Sequence, residues 1–190
     1  MSQKDDLITD ILDIEINMFL TVPTAQPSSC QSYPDSFRMH RRAQFSTWSE
    51  ETLKSYRSDL QMAERAGKNL MTEKYARMDS LLPPKKPNPL IKEIVDIQYE
   101  WQIKMFNKYP NLMGGARVLS SAEDSVNRTS FETYLKSELE TYSDNTIKLL
   151  HKDVLDSHEK GINLTEELYS QLVLNMGYSS IEEAEKVQKR

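Results

Sequence analysis

Four polar residues interrupt stripes that helical spacing would otherwise make apolar. Glu15 stands between Ile8, Leu12 and Phe19, and Gln98 interrupts Ile91, Ile94, Trp101 and Met105. Glu138 falls among Phe131, Leu135 and Tyr142, while Gln44 lies among Phe37, Phe45 and Trp48. An ionised carboxylate on a buried face costs several kcal/mol unless it is paired and hydrogen-bonded. Two chemistries fit such a set. One is a buried polar network that fixes how helices dock. The other is a polar cleft for a small molecule, with Glu15 or Glu138 as general acid or base. Arg42 and Lys136, each two residues before one of these positions, are the candidate cationic partners and the candidate grip for an anionic group. Trp48 and Tyr142, next along the same stripes, complete the expected lining.

Other reactive residue types form weaker patterns. Cys30 sits alone in a Pro/Ser-rich stretch, so no internal disulfide is available and a reducing cytoplasm is the expected compartment. His40, near Arg41 and Arg42, and His151 and His158 match no metal spacing: Glu-x-x-His, His-Glu-x-x-His and paired Cys-x-x-Cys are all missing. Nothing points to a carboxylate-only Mg²⁺ or Mn²⁺ site, and the cofactor is left unknown. Met113-Gly114-Gly115-Ala116-Arg117 places two glycines beside an arginine, which suits either a plain turn or a backbone-and-guanidinium hold on an anion. It is not a P-loop, because no Gly-Lys-Ser/Thr follows.

The elements that position these residues repeat. Residues 37–75 match 131–169 at an offset of 94, without a gap and with 11 identities in 39 positions. Both stretches carry a Gly-x-Asn-Leu ahead of a Glu and a Tyr, at Gly67 and at Gly161. Leu7–Glu15 matches Leu90–Gln98 at an offset of 83, with five of nine positions identical, so about eleven extra residues lie between the first two helices of the second copy. This pattern predicts an all-α, internally duplicated helical bundle, its two copies related by pseudo-two-fold symmetry. Each matched stripe pair is one carboxylate and one amide, in opposite order, so two carboxylates and two amides are expected to converge near that axis.

Periodicity places helices at about 4–21, 35–46, 69–82, 89–108, 129–140, 143–160, 163–176 and 180–189, with one more opening after Thr47-Trp48-Ser49-Glu50. Asp35 is the expected N-cap of the second helix, and Thr47 with Glu50 has capping-box spacing. Gly67 is the expected stop of the third helix. The expected organisation is one globular domain over 1–190. It comprises repeats at about 4–82 and 89–176, a proline-rich link at 83–89, and a short final helix.

With 38% hydrophobic and 28% charged residues in a chain of 190, a packed core is expected rather than disorder. The net charge of −5 gives no general attraction to nucleic acid or an anionic membrane, and no stretch approaches the ~18 apolar residues of a span. The opening Met-Ser-Gln-Lys-Asp-Asp lacks the pattern of a signal peptide. No nucleic-acid and no membrane partner is expected.

The run Asn69-Leu70-Met71-Thr72-Glu73-Lys74-Tyr75-Ala76-Arg77-Met78 is distinctive. With Cys30-Gln31, Gln44-Phe45-x-x-Trp48 and Thr129–Leu135, it resembles a bacterial and fungal domain-of-unknown-function family, number four-one-two-five, over nearly the whole chain. The resemblance implies a stand-alone domain, sometimes found beside a nucleotidyltransferase-like domain, and brings no established reaction. Relatives often carry a Gly-Gly-Arg-like stretch before the cysteine. Here Thr24–Ser29 stands there instead, and Gly114-Gly115-Ala116-Arg117 occurs only in the second copy.

Two functions follow as expectations. The first is a cytosolic domain holding a small polar or anionic metabolite between its repeats, with Glu15 and Glu138 as acid/base. Arg42, Gln44, Trp48, Gln98, Arg117, Lys136 and Tyr142 would contact the ligand. The alternative is a helical protein-interaction module, a companion of a nucleotidyltransferase-like protein, in which the polar cluster is structural. The sequence leaves open whether any reaction is catalysed.

Overall fold

The computed structural model describes residues 2–23, 33–83, 85, 87–126 and 128–188. Among them the chain is all-helical, with one isolated bridge between Ser125 and Arg128. The helices are α1 (Gln3–Leu20), α2 (Pro34–Ser46), α3 (Glu50–Arg65), α4 (Leu70–Met78), α5 (Pro89–Lys108), α6 (Phe131–Leu139), α7 (Asp144–Glu159), α8 (Leu164–Asn175) and α9 (Ile181–Val187). Two 3₁₀ turns, Leu112–Gly115 and Ser121–Glu123, fill the long connection from α5 to α6.

Helix α1 packs on α2, α3 and α4, and α5 packs on α6, α7 and α8. The most extensive contacts between these groups are α3 on α7, α2 on α8, and α4 on α6. One core runs through both, from Ile11, Leu12 and Phe45 to Ile94, Leu139 and Ile147. A smaller cluster of Met105, Tyr109, Met113, Val173, Ile181 and Ala184 seats α9 against the end of α5. Glu185 of α9 reaches back to the connection, accepting from the backbone N–H of Asn111 at 3.1 Å and of Leu112 at 2.7 Å.

The α3–α7 contact is built from exchanged caps. Asp153 on α7 accepts from Ser49 N at 2.9 Å and Thr52 Oγ1 at 2.6 Å at the start of α3. Asp59 on α3 accepts from Ser143 N at 3.0 Å and Thr146 Oγ1 at 2.6 Å at the start of α7. Each carboxylate sits where orphan N–H groups and the positive end of the helix dipole favour it. Asn69 and Asn163 act alike: each caps its own helix, and their side-chain amides donate to Met18 O at 2.7 Å and Trp101 O at 3.2 Å.

Several boundaries differ from those the sequence suggests. Ser49, not Thr47, caps α3, accepting from Thr52 N; the Thr47 hydroxyl instead donates to Gln44 O and closes α2. Helix α2 starts at Pro34, which needs no N–H partner, so Asp35 lies inside the first turn rather than at the cap. Helix α4 ends at Met78, four residues short of 82. Its stop is a left-handed residue, Ser80 at φ 56°, closed by Leu81 N donating to Ala76 O at 2.8 Å. Gly67, Gly161 and Gly177 make the same closure after α3, α7 and α8, with φ 65°, 72° and 93°. Serine in this position hides the stop from a reading that looks for glycine.

Candidate ligand-binding site

Arg41 is the centre of the polar cluster. It lies on α2 four residues from both Phe37 and Phe45, on the face turned to the core, and is 4% exposed. Its Nε and Nη2 donate to the two oxygens of Glu15 at 2.9 and 2.5 Å, and its Nη1 donates to Glu138 Oε1 at 2.7 Å and Gln44 Oε1 at 2.6 Å. Lys74 of α4 donates to the other oxygen of Glu138 at 2.5 Å, and its ammonium lies 3.7 Å from the centre of the Tyr134 ring. The Tyr56 hydroxyl donates to Glu15 and the Tyr142 hydroxyl to Glu138, both at 2.6 Å. Two carboxylates thus face two cations, and every oxygen has a partner.

That balance explains why the cluster is tolerable in an apolar interior. Burial alone would raise the Glu138 carboxyl, but Arg41 and Lys74 outweigh it and hold it far below the usual carboxylate range. Burial would likewise lower Arg41 and Lys74, yet the carboxylates raise both. The Tyr56 and Tyr142 hydroxyls are pushed well above their ordinary value, by burial first and then by the neighbouring Glu15 and Glu138 respectively. Among the described residues no buried side-chain nitrogen or oxygen lacks a partner.

Beside this cluster a cavity of about 400 Å³ opens between α2, α5, α6 and α8, with Arg41 and Glu138 in its wall. The volume lies in the ordinary range for a small-molecule site. Trp48, Trp101, Phe131, Tyr134 and Tyr169 supply aromatic walls, and residues 115–117 border it. Several polar groups here are uncommitted. The amides of Gln98 and Gln102 and the indole N–H groups of Trp48 and Trp101 have no hydrogen-bond partner among the described residues, and neither has the Tyr169 hydroxyl. Burial pushes that hydroxyl upward, so it stays protonated. Arg117, exposed, keeps its guanidinium 4.5 Å from the centre of the Tyr134 ring and donates to Thr129 O at 3.0 Å, leaving other donors open.

The residues expected from sequence divide into three groups. Glu15 and Glu138 meet through Arg41, whereas Glu138, Gln44, Trp48, Gln98 and Arg117 also border the cavity. The cationic partners of the two carboxylates are Arg41 and Lys74, not Arg42 and Lys136. Arg42 turns one residue around α2 and donates to Thr9 Oγ1 at 3.1 Å, while Lys136 is exposed. Lys136 and Tyr142 border a second cavity of about 540 Å³ beside the link before α5. Cys30 and Thr24–Ser29 lie outside the described residues. A search for acids and amides in apolar stripes misses Arg41 and Lys74, although both interrupt stripes: Arg41 between Phe37 and Phe45, Lys74 after Leu70 and Met71.

Residues 5–186 match the family model described as Protein of unknown function (DUF4125). The chain belongs to this family. No curated protein and no solved structure shows significant similarity to it. Among the described residues no helix is long and apolar enough to cross a membrane, and no group of three or more His, Cys, Asp or Glu is placed to hold a metal ion.

Proposed function

We propose that this DUF4125 chain binds a small polar metabolite in the cavity between α2, α5, α6 and α8, and that the Glu15–Arg41–Glu138–Lys74 cluster is the fixed brace behind it. The observation that carries this reading is the set of uncommitted donors and amides around one cavity. Among the described residues no buried side-chain polar atom is unpaired, so these groups are open to water in the cavity, and a ligand that meets them takes the place of that water. In this reading Glu15 and Glu138 position Arg41 rather than transfer protons, because each carboxylate is occupied by a cation and a tyrosine hydroxyl.

We further read the chain as one domain made of two repeats, about 4–82 and 89–176, working in the cytosol. The exchanged Asp59 and Asp153 caps and the matching roles of Asn69 and Asn163 support the duplication. Under the repeat offsets Glu15 corresponds to Gln98, Glu138 to Gln44, Arg41 to Leu135 and Lys74 to Leu168. The brace and the cavity are then equivalent places, one filled by charged side chains and the other left open with amides and leucines.

The test is calorimetric titration of a panel of small polar metabolites into wild type and Gln98→Met. At least one compound should bind wild type, raise its Tm and change its tryptophan emission, since both tryptophans border the cavity. Gln98→Met should fold and lose most of that affinity. Silence across the panel, or equal binding by the variant, would defeat the proposal.

A further inference from the structure

The chemistry around the cavity says more than that something polar fits. Resting on the reading of this cavity as the ligand site, the geometry points to a planar heterocycle rich in hydrogen-bond acceptors and carrying one anionic group as its occupant. In the lining, Phe131, Tyr134 and Tyr169 are half-buried and keep part of their rings accessible, which suits a flat ring whose stacking adds to apolar burial. The uncommitted groups are mostly donors. Two indole N–H groups can only donate, and the Gln98 and Gln102 amides each bring two N–H bonds beside one carbonyl. Gln44 already accepts from Arg41 through its carbonyl and has two N–H bonds to offer. A ring bearing carbonyl oxygens or bare ring nitrogens would meet these donors, and the Gln98 and Gln102 carbonyls could accept from its own N–H groups.

The anionic group follows from the rim. Among the described residues Glu138 is the one carboxylate bordering the cavity, and both of its oxygens are taken by Arg41, Tyr142 and Lys74. No free negative charge therefore opposes an anion. Arg117, held over Tyr134, presents a preorganised guanidinium at the border, near Gly115, where even an added Cβ would meet no atom. A carboxylate or a phosphate could occupy that position equally well.

Calorimetry with four probes separates these requirements. Orotate carries ring and carboxylate, uridine 5′-monophosphate carries ring and phosphate, uridine has the ring alone, and ribose 5-phosphate has the anion alone. Orotate or the monophosphate should bind about ten-fold or more tighter than both uridine and ribose 5-phosphate. Arg117→Gln, on an exposed position that leaves the core untouched, should remove that advantage and leave uridine unchanged. Ribose 5-phosphate binding as well as the ring compounds would overturn the inference while leaving a polar ligand in the cavity. So would failure of all four probes when another polar metabolite binds. An unchanged anion preference in Arg117→Gln would overturn the assignment of the rim. Only silence towards every polar compound would bring down the underlying reading as well.

Discussion

Replacing Glu138 by glutamine keeps the shape of the side chain and removes the charge that balances Arg41 and Lys74. Three charges then remain in the brace, two of them positive and one of them, Lys74, left without its carboxylate. Breaking a buried pair from one side costs about 3–5 kcal/mol, because the surviving charge stays desolvated. Glu138→Gln should therefore lower the urea unfolding free energy by roughly that amount. Lys74→Met combined with Glu138→Gln should cost less than the two single changes added together, since the orphaned ammonium is gone. A double-mutant cycle in urea measures this coupling. The same ion pairs set the pH response. The folded carboxyl of Glu138 lies below its unfolded value, so its contribution is complete above about pH 4.3 and is lost as pH falls towards the folded value. Lys74 lies above its unfolded value, so its contribution is complete below about pH 10.4 and is lost only as pH rises through the raised one. Wild type should lose stability between pH 5 and pH 3 more steeply than Glu138→Gln, read as unfolding midpoints across that window.

At the scale of elements, caps and stops carry the predictions. Asp59→Ala and Asp153→Ala each remove a charged acceptor from a backbone N–H and a threonine hydroxyl at the head of the opposite helix. Each should cost about 1.5–3 kcal/mol in urea, and by similar amounts, because the two sites have the same geometry. Ser80→Gly should do the reverse. The left-handed backbone at Ser80 penalises a Cβ by about 1 kcal/mol, so glycine should stabilise by a little under that and Ser80→Val should destabilise. The order of the three midpoints is the check. Most helices were legible from sequence because their stripes and glycine stops are strong local signals. The capping of α3 was not. Thr47 and Ser49 both offer a hydroxyl before an acidic residue, and the choice falls to Asp153, which is distant in sequence and draws in Ser49 N. The end of α4 was hidden for a different reason: its left-handed stop is a serine, where glycine is the residue that marks such a stop in a sequence.

For the whole molecule, the distribution of polarity matters more than its amount. Glu15, Gln44, Gln98 and Glu138 were visible in the sequence as interruptions of apolar stripes, and all four border either the brace or the cavity. Their different roles were not visible. A carboxylate and an amide look alike in a stripe, and only three-dimensional packing closes Glu15 and Glu138 on the buried Arg41 and leaves Gln98 at the cavity. Gln102, Trp101 and Tyr169 escaped because their apolar parts are ordinary core, and nothing in the spacing marks an unmet donor. The proposed function therefore rests on a contrast: the charged side of the centre is closed by its own ion pairs, and the neutral polar side faces the cavity with groups that a ligand would meet.

The most direct measurement is urea unfolding of wild type, Glu138→Gln and Gln98→Met under one condition at neutral pH. The account predicts a loss of about 3 kcal/mol or more for Glu138→Gln, and an unchanged or raised stability for Gln98→Met. Tolerance of Glu138→Gln together with a large loss for Gln98→Met would contradict it, because the amide and not the ion pair would then be holding the helices together.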